Sequence, residues 1–459
     1  MFTIDEIIKA TGGKLLQGPS KGKVKAVSID SRRVKKGELF IAVKGDIFDG
    51  HDFIRDVIAK AVRIIVVHQK MQVDDARVSI ILVKDTTRAL GDVARFHRLR
   101  FKAPVIAITG SAGKTTTKEM IAAVLSERYK VLKNEGTQNN HIGVPLTLLK
   151  LKPSHQMVVL ECGTNQPGDI PWLADVSRPD VAVFTNIGAS HLEKLKTTGG
   201  VLKEKWALAA SLTKKGVLGV NADDPLLSAQ SKKIKDPQLI TYGIDRTARW
   251  QARDIEVIDG CRLCFNTGGK RIEIRSCGVN NVYNALSAYA CGILFKVPSA
   301  SMARALKRFE FPKGRGQIMR LGTGWLINDT YNANPVSMQS AIQTLDVIAV
   351  TGKKIFVAAD MLELGEKARA LHTSVGAAIA RSSVDVLITV GKLARLMAVE
   401  ARRRNKKMRV FACADVEAAQ KQLAGVLSNG DAVLIKGSRR MKMEQVSEFL
   451  LAAPQASLT

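Results

Sequence analysis

Acidic residues are in short supply in this chain. It has 42 Asp and Glu against 70 Lys and Arg over 459 residues, a formal net charge of +28. Aromatic residues are scarce as well, at 5%. Basic runs such as Arg402–Lys407 have no aromatics interleaved. A platform that stacks single-stranded bases is therefore not expected, and neither is a nucleic-acid partner. The excess charge suits partners that carry phosphate, such as nucleotides or a phosphorylated substrate, or simply a solvated basic surface. Six cysteines in this length make no disulfide framework. If Cys261 and Cys264 share one strand, their odd spacing points them to opposite faces, so no metal site is expected there. The first residues, MFTIDEIIKATGGK, lack a basic stretch followed by an apolar run, so no secretory signal is expected. The longest tempting uncharged stretch, Ser276–Phe295, carries Asn280, Asn281, Asn284 and Ser287. A bilayer would tolerate these poorly. It reads as a buried helix entered by a polar loop, in a reduced, cytoplasmic protein with no membrane insertion.

What is present is a repeated alternation of strand and helix. At roughly 100–200 residues per domain, the length implies two to four domains. Residues 1–82 read as a small α/β unit, opened by a helix with Ile4, Ile7 and Ile8 and followed by strands at Val24–Ile29, Leu39–Val43 and Arg63–Val67. Thr86–Arg100 has a helical apolar stripe. From Pro104, short runs rich in Val, Ile and Leu recur at Val105–Ile108, Met157–Glu161, Val181–Asn186, Val217–Asn221 and Leu239–Tyr242. Such continuous apolar runs suit parallel strands covered on both faces. An irregular β segment, Trp250–Ile274, follows. Strands at Leu326–Asp329, Lys354–Ala358, Val386–Val390 and Ala432–Lys436 mark a last unit. The expected fold is three consecutive α/β domains, 1–82, 83–311 and 312–459, the central one with a parallel sheet and the last Rossmann-like.

The sharpest motif is TGSAGKTTT, Thr109–Thr117. It follows a strand and precedes a segment with Met120, Ile121, Val124 and Leu125 at helical spacing. That is the setting of a nucleotide phosphate loop. Gly110, Ser111, Ala112 and Gly113 form the turn, and the glycines let backbone N–H groups approach phosphate oxygens. The helix N-terminus at Thr115 and Thr116 adds its positive end. Lys114 can bridge β- and γ-phosphates, and the Thr115 hydroxyl can bind Mg²⁺. The spacing departs from GxxxxGK[ST], because Ile108 stands where a glycine would.

Glu161 ends the apolar strand MVVLE. Charge at the C-terminal end of a buried parallel strand lies at the ligand crevice of such sheets, so Glu161 is a candidate Mg²⁺ ligand. His191 follows another strand, and a lone histidine in that place is more often structural. Lys203 and Lys205 fall on one helix, where a solvated face is the simpler reading.

At these residues the chain resembles the Mur ligases. The similarity is carried by GSAGKTTTKEM, NNHIGVPLTLL (Asn139–Leu149), ECGTNQPGDI (Glu161–Ile170), NIGASHLE (Asn186–Glu193) and NADDP (Asn221–Pro225). Within the family, DTYNANPVSM (Asp329–Met338), ADMLELG (Ala359–Gly365) and LIKGSRRMKME (Leu434–Glu444) are similar to the branch that joins D-alanyl-D-alanine to a UDP-N-acetylmuramoyl-tripeptide. Asp30–Ile54 resembles that branch's UDP-sugar segment.

The resemblance implies an ATP- and Mg²⁺-dependent amide ligase of peptidoglycan precursor synthesis, acting as a monomer through an acyl phosphate. It implies a catalytic set of Lys114, Glu161, His191, Lys205 and Arg315. A second metal would be held by Glu161, His191 and a carbamylated lysine, best matched by Lys205 with Lys203 as the rival. Asn281 and Asn284 match residues near the adenine, Asp329 an acid near the ribose, and Arg315 a phosphate contact. Ser31 and Arg32 match the UDP side, and Asn332 and Asn334 the substrate side. Departures from the family pattern are Asn328 before Asp329, Asn280 for a histidine, Cys162 for a methionine and Ala359 for a glycine. The alternatives are a sister ligase that adds a diamino acid, a folylpolyglutamate-type ligase, and an ATPase stimulated by nucleic acid.

Overall fold

The computed structural model describes residues 1–45, 47–236 and 238–452. By its internal contacts the chain falls into two compact units. One comprises Met1–Ala107, Lys130–Cys162 and Asp169–Pro179; the other comprises Ile108–Tyr129, Gly163–Gly168 and the chain from Asp180 onward.

The first unit opens with helix Ile4–Thr11. Thr3 caps it, accepting from the Glu6 N–H while Glu6 reaches back to the Thr3 N–H. A five-stranded sheet follows in the order Lys14–Gln17, Ser79–Leu82, Ile64–Val67, Leu39–Ile41, Val27–Ser28. The first pair is antiparallel and the rest are parallel. Phe40, Ile54, Val57, Ile65 and Ile80 fill its core. The predicted strand Val24–Ile29 is two pieces. Lys23–Val24 pairs with Phe2–Thr3, and Val27–Ser28 joins the five-stranded sheet. Helix Thr86–Arg98 is capped by Asp85, whose side chain accepts from the Arg88 N–H. Its buried His97 bonds the Leu151 carbonyl through Nε2 at 2.9 Å. Met157–Glu161 pairs in parallel with Val131–Lys133, and Val158 N–H donates to Pro104 at the foot of strand Val105–Thr109.

The second unit holds the far end of that strand, where Thr185 N–H donates to Thr109. Val181–Phe184, Val217–Asn221, Gln238–Gly243 and Trp250–Gln251 run parallel beside one another. Helix Lys114–Ser126 and the buried helix Asn280–Leu294 pack together. The expected irregular β segment is a three-stranded antiparallel sheet, Arg253–Ile258, Arg262–Thr267 and Lys270–Ile274. Cys261 precedes the middle strand and Cys264 lies within it, both buried.

A six-stranded sheet completes the unit in the order Gln317–Leu321, Gly324–Asp329, Ala432–Lys436, Lys354–Ala359, Val386–Val390, Arg409–Cys413. It is parallel except for its first pair. Apolar clusters cover both faces, one including Ile327, Phe356 and Met397, the other Leu326, Ile355 and Ile388. All six cysteines are free, and only Cys413 is partly exposed. No helix among the described residues is long and apolar enough to cross a membrane.

Candidate functional site

The Gly110–Thr117 turn leads from strand Val105–Thr109 into helix Lys114–Ser126. Gly110 has φ of +152°, and a Cβ there would overlap the Thr185 hydroxyl. Gly113 has φ of +81°, and its Cβ would lie 2.9 Å from Asn284 Oδ1. Both positions therefore require glycine. The N–H groups of Ser111 and Ala112 are spent on the protein itself. They donate to the Asn186 carbonyl at 2.9 Å and to Asn186 Oδ1 at 2.9 Å. The Ala112 carbonyl accepts from the Thr185 hydroxyl at 2.6 Å. Ser111 Oγ accepts from the Gly188 N–H at 2.9 Å and also bonds Ser190 Oγ. Asp224 anchors the same loop by accepting the Ile187 N–H at 2.6 Å. The helix that starts at Lys114 directs the positive end of its dipole at the space an anion would occupy. Lys114 Nζ donates to the Gly110 carbonyl at 2.9 Å, and the Thr115 side chain is buried.

Asn281 and Asn284 lie beneath this loop, both buried. Asn284 accepts from the Thr117 hydroxyl at 2.9 Å and donates to Asn281 Oδ1 at 2.9 Å, and Asn281 donates to Ser276 Oγ at 2.8 Å. Lys205 is fully buried on helix Thr198–Ala210, whereas Lys203 on that helix is exposed. Burial thus separates the two lysines that the sequence left open. His191 has φ of +51° and caps the short helix Leu192–Leu195. Its Nδ1 lies 2.8 Å from a Glu363 carboxylate oxygen. That hydrogen bond holds the Glu363 carboxyl below the usual range.

The C-terminal sheet brings further residues into the same unit. Asn334 caps helix Pro335–Val347 by accepting the Ser337 N–H, and its amide donates to the Ser111 carbonyl at 3.1 Å. Asp329 ends strand Gly324–Asp329 and meets Lys436 Nζ at 2.5 Å. Lys436 is buried and also donates to the carbonyl of the exposed Asn332 at 2.9 Å. Arg315 stacks on the Tyr331 ring, 3.6 Å from its centroid. Lys436, Asn186 and Glu363 were not singled out by the sequence. Lys436 had the signal that marked Glu161, a lone charge closing an apolar parallel strand. Asn186 and Glu363 lie inside the quoted segments Asn186–Glu193 and Ala359–Gly365, but nothing local marks their roles, because their partners are remote in sequence.

In the first unit Glu161 is buried at the end of its strand. Asn134 brackets its backbone, accepting the Glu161 N–H at 2.9 Å and donating to its carbonyl at 3.2 Å. Asn139 donates to Oε1 at 2.6 Å. The adjoining Cys162 thiol is pushed up to about 12 by burial and by the Glu161 charge. Ser31 and Arg32 sit on a turn where Arg32 forms two side-chain hydrogen bonds to Asp30, each 3.0 Å. Asp49, His51 and His68 also come close together. The ring nitrogens of His51 are already used there, Nδ1 on Asp49 at 2.6 Å and Nε2 accepting the His68 N–H at 3.1 Å. The trio braces its loop.

Three family models match in sequence order: the Mur ligase family catalytic domain over residues 23–98, the Mur ligase middle domain over 108–292, and the Mur ligase glutamate ligase domain over 314–439. The UDP-N-acetylmuramoyl-tripeptide–D-alanyl-D-alanine ligase of Bacillus subtilis is 35% identical over 434 residues, 94% of each chain. The Escherichia coli enzyme of the same name is 31% identical over 433 residues, 93% of each chain. A crystal structure of MurF from Acinetobacter baumannii superimposes with a TM-score of 0.89 at 29% identity, covering 98% of this chain and 99% of that one. MurF ligase from Thermotoga maritima, crystallised in complex with ADP, gives 0.84 at 27% identity, covering 95% and 98%. Matched by these three models from residue 23 to 439, and 35% identical to one of its ligases over 94% of both chains, this chain belongs to the Mur ligase family.

Proposed function

We propose that the protein is an ATP-dependent carbon–nitrogen ligase that joins D-alanyl-D-alanine to UDP-N-acetylmuramoyl-tripeptide in peptidoglycan precursor synthesis. The observation that carries this reading is the 35% identity to a ligase of that name over 94% of both chains. The phosphate loop supplies its nucleotide chemistry. We assign the UDP-sugar end to residues 1–82 with Ser31 and Arg32, ATP binding to 83–311, and the acceptor side to 312–459 with Asn332 and Asn334. Asn281, Asn284 and Asp329 are assigned to the adenosine. The protein works as a cytoplasmic monomer.

The γ-phosphoryl group of ATP passes to the terminal tripeptide carboxylate, giving an acyl phosphate and ADP. The free amine of D-alanyl-D-alanine attacks the acyl carbon, the C–O bond breaks, and an amide and inorganic phosphate leave after the amine loses a proton. Negative charge spreads over the moving phosphoryl oxygens and then over the tetrahedral oxyanion, so fixed cations and N–H donors do most of the work. Lys114 and the N-terminus of its helix hold the β- and γ-phosphates, and Arg315 supplies further positive charge. Its guanidinium lies over the Tyr331 ring, a cation–π contact that orients it.

The oxygen donors Thr115 and Glu161, both buried, suit Mg²⁺. Glu161, His191 and a carbamylated Lys205 would hold a second ion, and the two would neutralise phosphate charge. Carbamylation needs a neutral amine, and a fully buried lysine such as Lys205 favours that form over the ammonium. Lys203, by contrast, is exposed.

Incubation with UDP-muramoyl-tripeptide, D-alanyl-D-alanine and MgATP should give a product heavier by one dipeptide less water, read by mass spectrometry. Turnover with a diamino acid acceptor but not with the dipeptide would replace this reading by a sister ligase. Lys205→Ala should lose activity and recover part of it with short carboxylic acids, and full activity without them would remove the carbamate.

A further inference from the structure

We propose that Glu363 is a positioning residue for His191: its carboxylate accepts the Nδ1 proton, fixes the imidazole tautomer and ring direction, and leaves Nε2 as the nitrogen able to take a metal ion. The metal half of this inference rests on the reading above that His191 is a ligand.

Glu363 does not reach His191 by chance proximity of two mobile side chains. It sits on the loop that follows strand Lys354–Ala359, and that loop is bolted in place. Asp360 Oδ1 accepts the Ala394 N–H at 2.6 Å, and the Asp360 carbonyl accepts the Ser438 N–H at 3.1 Å. Met361 N–H donates to His372 Nε2 at 3.0 Å, and Leu362 N–H to Ser438 Oγ at 2.8 Å. The backbone then meets the His191 segment directly, since Glu193 N–H donates to the Glu363 carbonyl at 3.3 Å.

Three non-glycine residues at this junction adopt the left-handed region: His191 at +51°, Lys196 at +64° and Glu363 at +64°. Gly365 joins them at +57°, where a Cβ would lie 3.3 Å from Glu193 Cα. Such conformations are uncommon outside glycine and persist where the surroundings over-determine them. Here they crowd onto both sides of one 2.8 Å contact. A carboxylate on one imidazole nitrogen, with the other directed at a metal, is the recurrent arrangement that sets ligand basicity and orientation. The consequence is a dependence of His191 on the docked C-terminal sheet. A half-exposed ion pair with no further role would tolerate loss of either partner.

Selective ¹⁵N-histidine labelling, assigned with His191→Asn, reads the imidazole without any metal or turnover. The wild-type spectrum should place the proton on Nδ1. Glu363→Ala should shift His191 to the Nε2–H form or a mixture, and Glu363→Gln, whose amide oxygen still accepts, should keep Nδ1–H. An unchanged Nδ1–H signature in folded Glu363→Ala overturns the proposal. As a second readout, Mn²⁺ binding to the ADP complex, followed by electron paramagnetic resonance, should weaken roughly 10–100-fold in Glu363→Ala. It should recover largely in Glu363→Gln. Wild-type Mn²⁺ affinity in Glu363→Ala overturns the link to the metal. Wild-type affinity in His191→Asn overturns instead the reading of His191 as a ligand, and the tautomer measurement still decides the role of Glu363.

Discussion

Apart from Lys114 on the Gly110 carbonyl, the turn at Gly110–Gly113 is held by groups 73 to 223 residues away in sequence, Thr185, Asn186 and Asn334 among them. The turn at Asp30–Arg33 is held largely by its own first residue. Asp30 receives the Arg32 backbone and guanidinium, and Arg32 drives its carboxyl down to about 2. Lys60 latches the turn from outside by donating to the Ser31 and Arg32 carbonyls at 2.8 Å each. One region is shaped before any ligand arrives, and its shape depends on the fold as a whole. The other keeps an exposed guanidinium on a self-contained loop. Pre-built donors act where charge moves during reaction, because they need no rearrangement at that moment. An adjustable arginine suffices where a ligand is only held.

Lys114→Ala should break the contrast most sharply. Phosphate release should fall about 10²–10³-fold or more while melting barely moves, since this is the loss of a charge-directed donor. Turnover near wild type would remove the loop from the chemistry. Gly113→Ala should cost about 1–3 kcal/mol in denaturant unfolding, from left-handed strain plus crowding of Asn284. A neutral result would mean the turn is less fixed than its bonds imply. Arg32→Ala should leave stability within about 0.5 kcal/mol. It should raise KM for the UDP-sugar substrate roughly tenfold, equivalent to about 1.4 kcal/mol. A large loss of stability there would erase the distinction between the two turns.

The smallest effect is with pH. Burial keeps His372 below its ordinary 6.5, so the folded chain resists the proton that the unfolded chain accepts. Stability should therefore fall as pH drops below about 6.5. Asp30, held near 2, stays charged and silent over the same range. Melting curves at pH 7 and pH 5 that coincide would count against a buried neutral His372.

How far the sequence carried the reading follows the same division. The strand, glycine turn and helix at 105–126 are contiguous, so local pattern was enough to place them. The parallel strands were legible from their apolar runs, but edge strands Lys14–Gln17 and Gln317–Leu321 alternate too weakly to stand out. Val24–Ile29 looked like one strand because pattern does not reveal that the chain changes sheets between Val24 and Val27. Val181–Asn186 ends at Phe184, as Thr185 and Asn186 turn their side chains to the phosphate loop. The different burial of Lys203 and Lys205, and the partners of Asn186, Asn334 and Glu363, needed the tertiary fold.

The six unpaired cysteines turn the molecule into its own stopwatch. Cys162, Cys277 and Cys291 are shut away and pushed up to about 12 by burial, so each is a sleeping thiol until its neighbourhood opens. Thiolate is the reactive form, and a labelling reagent must wait for that opening. Cys413, partly exposed, should mark time zero. The delay at Cys162 then times the breathing of the strand end that carries Glu161, and the delay at Cys291 times the helix that backs the phosphate loop.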